Sequence, residues 1–195
     1  MQEKFYEECA KVHNEKSAKR RYVILNIFSI FSYVLAGFWI VIDFGYLIFI
    51  STDLFFKIVF MIFPLAFFIT WGIVLGKLKD KMYVDYDYTF VTGSIRFSKV
   101  INNVKRKHII TFDFSMIEKI GKYGSKTYER YELMPDKKIK VLTSNSEAED
   151  GKSFYYIVCN VSGIKYVFVL ECTEVFIGNV INCSSRTVIE EDFYR

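Results

Sequence analysis

The densest chemistry in this 195-residue chain is basic. Lys105, Arg106, Lys107 and His108 run together after Lys99, and Lys137, Lys138 and Lys140 form a second group. Near an anionic leaflet each such cation is worth about 1 kcal/mol, decaying within a Debye length of roughly 8 Å. These residues are therefore candidate contacts for anionic lipid or for a partner protein. Ordinary solvated surface is the plainer reading, because residues 77–195 carry only a small net positive charge.

Other reactive groups are sparse. Cys9 and His13 lie four apart and could share a helical face, but two ligands do not make a zinc site and no paired-cysteine motif supports them. Cys159 and Cys172 fall in strand patterns, where they read as small hydrophobes. A cysteine nucleophile needs a nearby histidine, and His13 and His108 are the whole supply. Asp85 and Asp87 alternate along one strand and read as a solvated face rather than a catalytic pair. No phosphate-binding glycine–lysine loop, GxSxG or HExxH occurs. The expectation is a non-enzyme with no catalytic residue, no metal site and no cofactor. Nucleic acid is not an expected partner, since the aromatics suit a core better than a stacking platform.

The elements that must position these residues divide sharply. Charged residues make up 25% of the chain, yet residues 22–76 hold only Asp43, Asp53 and Lys57. The uncharged run 22–42 and the run 54–76 are each long enough for one helix across a hydrocarbon core of roughly 30 Å. Lys57 lies in the first turn of the second run, where its stem can snorkel, and Pro64 falls mid-helix. The connection 43–53 leaves no room for an external domain. Ser29, Ser32 and Ala36 follow helical spacing, and Gly72 and Gly76 form a GxxxG. They predict packing within the hairpin, with homodimerisation as the sharper alternative. Lys19, Arg20, Arg21 and Tyr22 precede the first span, while Trp71, Lys77 and Lys79 close the second; Trp39 suits the opposite interface. The connecting loop has no lysine or arginine, so both termini are expected in the cytoplasm of a multi-pass cell-membrane protein. Residues 1–21 place Phe5, Cys9 and Val12 at i, i+4 and i+7, which predicts a cytoplasmic amphipathic helix.

From residue 77 onward the period changes to two. Val84, Tyr86, Tyr88 and Phe90 alternate with polar residues, Thr92-Gly93 turns the chain, and further strands follow around Ile95–Phe97 and 105–112. A fourth strand is expected near 116–120 and a fifth at 139–143; residues 121–138 between them read as polar and tyrosine-containing, with no element assigned. The hairpin of 154–159 and 164–170 turns at Ser162-Gly163. Thr173 should cap a helix of about ten residues starting at Glu174. The predicted domain is thus an antiparallel β-barrel of about seven strands capped by a C-terminal helix, in an α+β membrane protein.

This order, with the stretches YTFVTGSIRF, HIITFDFSMIEKIG and IKYVFVLECTEVF, resembles the bacterial pleckstrin-homology-like (PH-like) domains over residues 82 to about 183. The resemblance implies a binding or scaffolding domain following membrane helices. The expected function is a membrane-anchored cytoplasmic scaffold recognising a protein or peptide partner. Anionic-lipid docking by the basic face is one alternative, and an accessory subunit of a transporter or enzyme complex is another.

Overall fold

The computed structural model describes residues 5–49, 54–91, 93–184, 188–190 and 193. The expectations for 50–53, for the side chain of Lys57 and for Thr92 lie outside the described residues. The chain forms two compact units. One is Asn14–Tyr83, and the other joins Met1–His13 to Val84–Arg195.

The first unit is a helical hairpin of α1 (Glu15–Phe49) and α2 (Leu54–Met82). Both helices contain windows long and apolar enough to cross a membrane. Both also run past the uncharged segments into charged flanks, since Lys, Arg and Glu are good helix formers. Asn14 caps α1 by accepting the Ser17 N–H at 3.0 Å. Ser29, Ser32 and Ala36 are buried between the helices. The Ser29 hydroxyl donates to the Gly72 carbonyl at 2.8 Å, and the Ser32 hydroxyl to the Phe68 carbonyl at 2.7 Å. A Cβ on Gly72 would stand 2.8 Å from the Tyr33 ring, so glycine is what lets that ring cross α2. Gly76 faces Ser29 Oγ. Toward the chain ends of the hairpin, Lys79 Nζ donates to Asn26 Oδ1 at 2.6 Å and lies over the Tyr22 ring, and Tyr83 donates to Glu15 at 2.6 Å. Toward the connection Trp39 packs on Phe60, while Trp71 stacks on Phe67.

The second unit is built from strands β1 (Phe5–Ala10), β2 (Val84–Val91), β3 (Ser94–Ile101), β4 (Lys105–Asp113), β5 (Ile117–Lys122), β6 (Lys137–Val141), β7 (Ser153–Val161) and β8 (Ile164–Cys172). Helix α3 (Lys126–Leu133) lies between β5 and β6, and α4 (Glu174–Cys183) follows β8. The strands form two four-stranded sheets, β1-β2-β3-β4 and β5-β7-β8-β6. Each of the seven expected strand positions is a strand, but the barrel is not closed among the described residues. β6 joins parallel to β8; every other pairing within the two sheets is antiparallel.

Two expectations are corrected here. The N-terminal segment is not a helix: residues 5–10 form β1, in register with β2 from Phe5↔Val91 to Ala10↔Tyr86. The spacing of Phe5, Cys9 and Val12 also tolerates a strand, and pairing buries Ala10 and Glu8 where a helix would leave them solvated. The β domain therefore does not begin at residue 77; its first strand precedes the helical hairpin. Within 121–138, where the sequence assigns no element, residues 126–133 form α3. Ser125 caps it by accepting the Tyr128 N–H, and Tyr128 packs against Tyr156 at 5.5 Å between centroids.

The core between the sheets is aromatic. Tyr88, Phe90, Phe97, Phe112, Phe168 and Phe176 are buried together, with Phe112 stacked on Phe168. α4 lays Phe176, Ile177, Val180 and Ile181 on this core, and Thr173 caps it by accepting the Phe176 N–H. Asn102 and Asn103 both take positive φ in the β3–β4 turn, the backbone of a tight hairpin.

Candidate binding surfaces

The basic residues occupy edge strands, and register decides where each points. Directly opposed residues share a face of a sheet. Tyr86, Lys99 and Lys107 form one row, and Val84, Ile101 and Lys105 the next, both on the face that carries Tyr88 and Phe97. Arg106 and His108 belong to the opposite face, in rows with Asp85 and Asp87. Alternation along β4 makes this split, and a bulge at Ile109 sets which residues take which face. The extra residue puts Lys105 and Lys107 on the face that carries Tyr88 and Phe97, where Arg106 and His108 otherwise would lie, and all four stay exposed. The single basic face expected from the cluster is thus divided between two faces of one hairpin.

Arg106 is engaged within the fold. Its Nη2 lies 2.7 Å from Asp87 Oδ2, an ion pair outside hydrogen-bond geometry, and 3.5 Å from Glu7. Asp85 and Asp87 are 3% and 5% exposed, which corrects the expectation of a solvated face. Asp85 accepts the Val12 N–H at 2.9 Å, in the segment after β1. β1 contributes to this burial: it makes β2 an internal strand, so that neighbours from both flanking strands and the Val12 N–H crowd the two carboxylates. Cys9 sits opposite Asp87. Burial, the thiol hydrogen bond to Asp87 and the negative charges of Asp87 and Asp85 push that thiol up to about 12. A thiol held protonated in this way is a poor nucleophile at neutral pH, and the backbone N–H of His13 donates to Asn145 Oδ1 at 2.8 Å.

The second basic group lies on the other sheet. Lys138 and Lys140 stand over the Tyr166 ring at 5.9 and 5.3 Å, and Lys137 is opposite Lys165. β6 ends its sheet, and no strand pairs with its outer edge among the described residues. Beside its C-terminal end a cavity of about 150 Å³ is lined by Tyr123, Val141, Thr143, Asn145, Phe154 and Val169. A larger open cleft, about 490 Å³, runs along α3 and carries Lys119, Lys126 and Arg130 with Tyr131 and the buried Glu190.

Sequence reasoning missed a polar network that fastens β1. Glu171 is fully buried, yet it accepts from the Thr143 hydroxyl at 2.5 Å, the Asn145 amide at 2.8 Å and the Glu149 N–H at 3.0 Å. Asn145 in turn donates to the Lys11 carbonyl, and Lys152 to the Cys9 carbonyl. Glu8 accepts both the N–H and the hydroxyl of Thr173. The visible signal was a glutamate in the otherwise apolar run VFVLEC.

Two sheets enclosing an aromatic core, capped by a C-terminal helix and interrupted by a long apolar hairpin, define a PH-like domain carrying candidate membrane spans. The family model of the bacterial PH-like domain (DUF6106) matches residues 3–190, and the chain belongs to that family. The match begins before the hairpin, as β1 requires. No curated protein and no solved structure matches this chain.

Proposed function

We propose that this protein is a membrane-anchored, non-catalytic scaffold whose β domain recognises a protein partner at the cytoplasmic face. The observation that carries the reading is the pairing of β1 with β2. Ala10 and Tyr86, on either side of the hairpin in sequence, are neighbours in one sheet, so both ends of the hairpin must leave the bilayer on the same side. Lysine and arginine flank those ends and are absent from the connecting loop, a distribution that favours the cytoplasmic side. Reporters fused after Arg195 should be active only in their cytoplasmic form; activity on the opposite side would overturn the orientation. Crosslinking in cells followed by mass spectrometry should recover a protein joined through residues 84–184. Recovery of lipid adducts alone would overturn the scaffold reading.

A second reading, docking on anionic lipid, is favoured by one feature. Val104 is 84% exposed at the β3–β4 turn, beside Lys105, Arg106 and Lys107. An apolar tip ringed by cations suits a bilayer interface. Changing Val104 to Asp should then weaken flotation of the β domain with anionic liposomes, and salt should do the same. Absence of flotation at low salt would rule this reading out.

A further inference from the structure

Building on the scaffold reading, we infer that the outer edge of β6 is the partner site, and that it takes an extended acidic segment of another protein as an added strand. An edge strand leaves a row of backbone N–H and C=O groups without a ladder partner, and strand addition satisfies them. Of the four sheet edges, three are compromised. β1 lies along the polar network that ties it to Thr173, Lys152 and Asn145. β4 is bulged at Ile109, and a bulge twists an edge away from regular pairing. β5 already receives the C-terminal segment, through the Ile120↔Ile189 bridge and the Glu190 N–H on the Ile120 carbonyl. β6 has no bulge, and its register with β8 is unbroken from Lys137↔Lys165 to Val141↔Val169.

The side chains of β6 state what it would accept. The strand reads KKIKV, with no acidic residue. Lys137, Lys138 and Lys140 repel a second copy of themselves and any basic strand, because like charges directly opposed across a ladder are destabilising. An acidic strand meets complementary charge at the same positions, so the lysines that guard the edge also select its occupant. Ile139 and Val141 are exposed between them and offer apolar contact. Val141 borders a cavity of about 150 Å³ that opens inboard of β6 toward Val169 and Phe154, where a long apolar side chain of the incoming strand that folds over Val141 would anchor its register.

The test uses the full chain in nanodiscs of zwitterionic lipid. The probes are labelled peptides alternating Glu with Val and carrying one Leu, Phe or Tyr; matched peptides have Lys in place of Glu. At least one acidic peptide should bind at least about tenfold more tightly than its basic match. Binding should slow amide exchange in residues 137–141. The triple variant Lys137→Glu, Lys138→Glu, Lys140→Glu, with an unchanged melting temperature, should reverse the preference. A second variant, Val141→Ala, should weaken the acidic peptides that carry Leu, Phe or Tyr more than an acidic peptide with Val at that position. Failure of every acidic peptide, equal binding of both series, or protection confined to other strands would each overturn the β6 assignment. Those results would leave the scaffold reading to the crosslinking experiment, whose failure is separately visible.

Discussion

At the scale of single residues, the most informative groups are carboxylates that the fold hides. Glu171 spends its two oxygens on three donors from residues 143–149. Removing the acceptor leaves those donors to find new partners, at about 1–3 kcal/mol for each buried donor that finds none. Glu171→Ala should therefore lower the melting temperature and make residues 143–152 the first site of limited proteolysis. An unchanged cleavage pattern would show that the loop is held by something else. The thiols give a pH prediction. Burial and nearby carboxylates push Cys9 up to about 12, and burial with the charge of Glu118 does the same for Cys159, both from an ordinary value of 9.0. The folded state holds these protons more tightly than the unfolded state does. Stability is then fully present below pH 9 and falls as pH rises toward about 12. Cys9→Ser and Cys159→Ala should each flatten that alkaline slope in denaturant titrations. At neutral pH, iodoacetamide should modify the exposed Cys183 well before Cys9, Cys159 or Cys172.

At the scale of elements, local signals were readable and distant ones were not. Ser162-Gly163 announced its hairpin, because a tight turn needs positive φ and these residues tolerate it. Thr173 and Glu174 announced α4 by capping chemistry. α3 escaped notice because its buried side is made of tyrosines, and Tyr128 and Tyr131 do not stand out as an apolar stripe. β1 escaped because its partner lies some eighty residues away, and strand pairing across such a separation leaves no local mark. The basic cluster was visible in sequence, and period-two alternation already divides it; which residues take which face was not visible, since that depends on a one-residue bulge. Thr173 joins two elements at once: it accepts the Phe176 N–H and donates to Glu8. Thr173→Ala should cost about 1–2 kcal/mol by losing the cap alone, and more for the unpaired Glu8. Thr173→Ser should restore most of the stability, and a double-mutant cycle with Glu8→Ala should return a non-zero coupling.

At the scale of the whole molecule, the order of strands makes the helical hairpin an insertion into the β domain rather than a leader before it. The two descriptions predict opposite results for the same surgery. If the hairpin preceded the domain, residues 77–195 alone would be the folding unit. With β1 in the sheet, that fragment lacks one of its eight strands. It exposes the edge of β2 over Tyr86–Val91, uncovers Asp85 and Asp87, and leaves Thr173 without Glu8. An uncovered edge of that length is a template for aggregation. The alternative is to replace Asn14–Tyr83 with a short glycine–serine linker joining His13 to Val84. Ala10 and Tyr86 are directly opposed, and opposed Cα atoms in an antiparallel pair lie about 5 Å apart, so the linker closes a small gap at little entropic cost. The linked chain should be soluble and monomeric and should melt in one cooperative transition, while the 77–195 fragment aggregates or melts many degrees lower. Equal stability of the two would mean that β1 adds nothing to the sheet. The same-side argument for the hairpin's ends would then lose its support and rest on the flanking lysines and arginines alone.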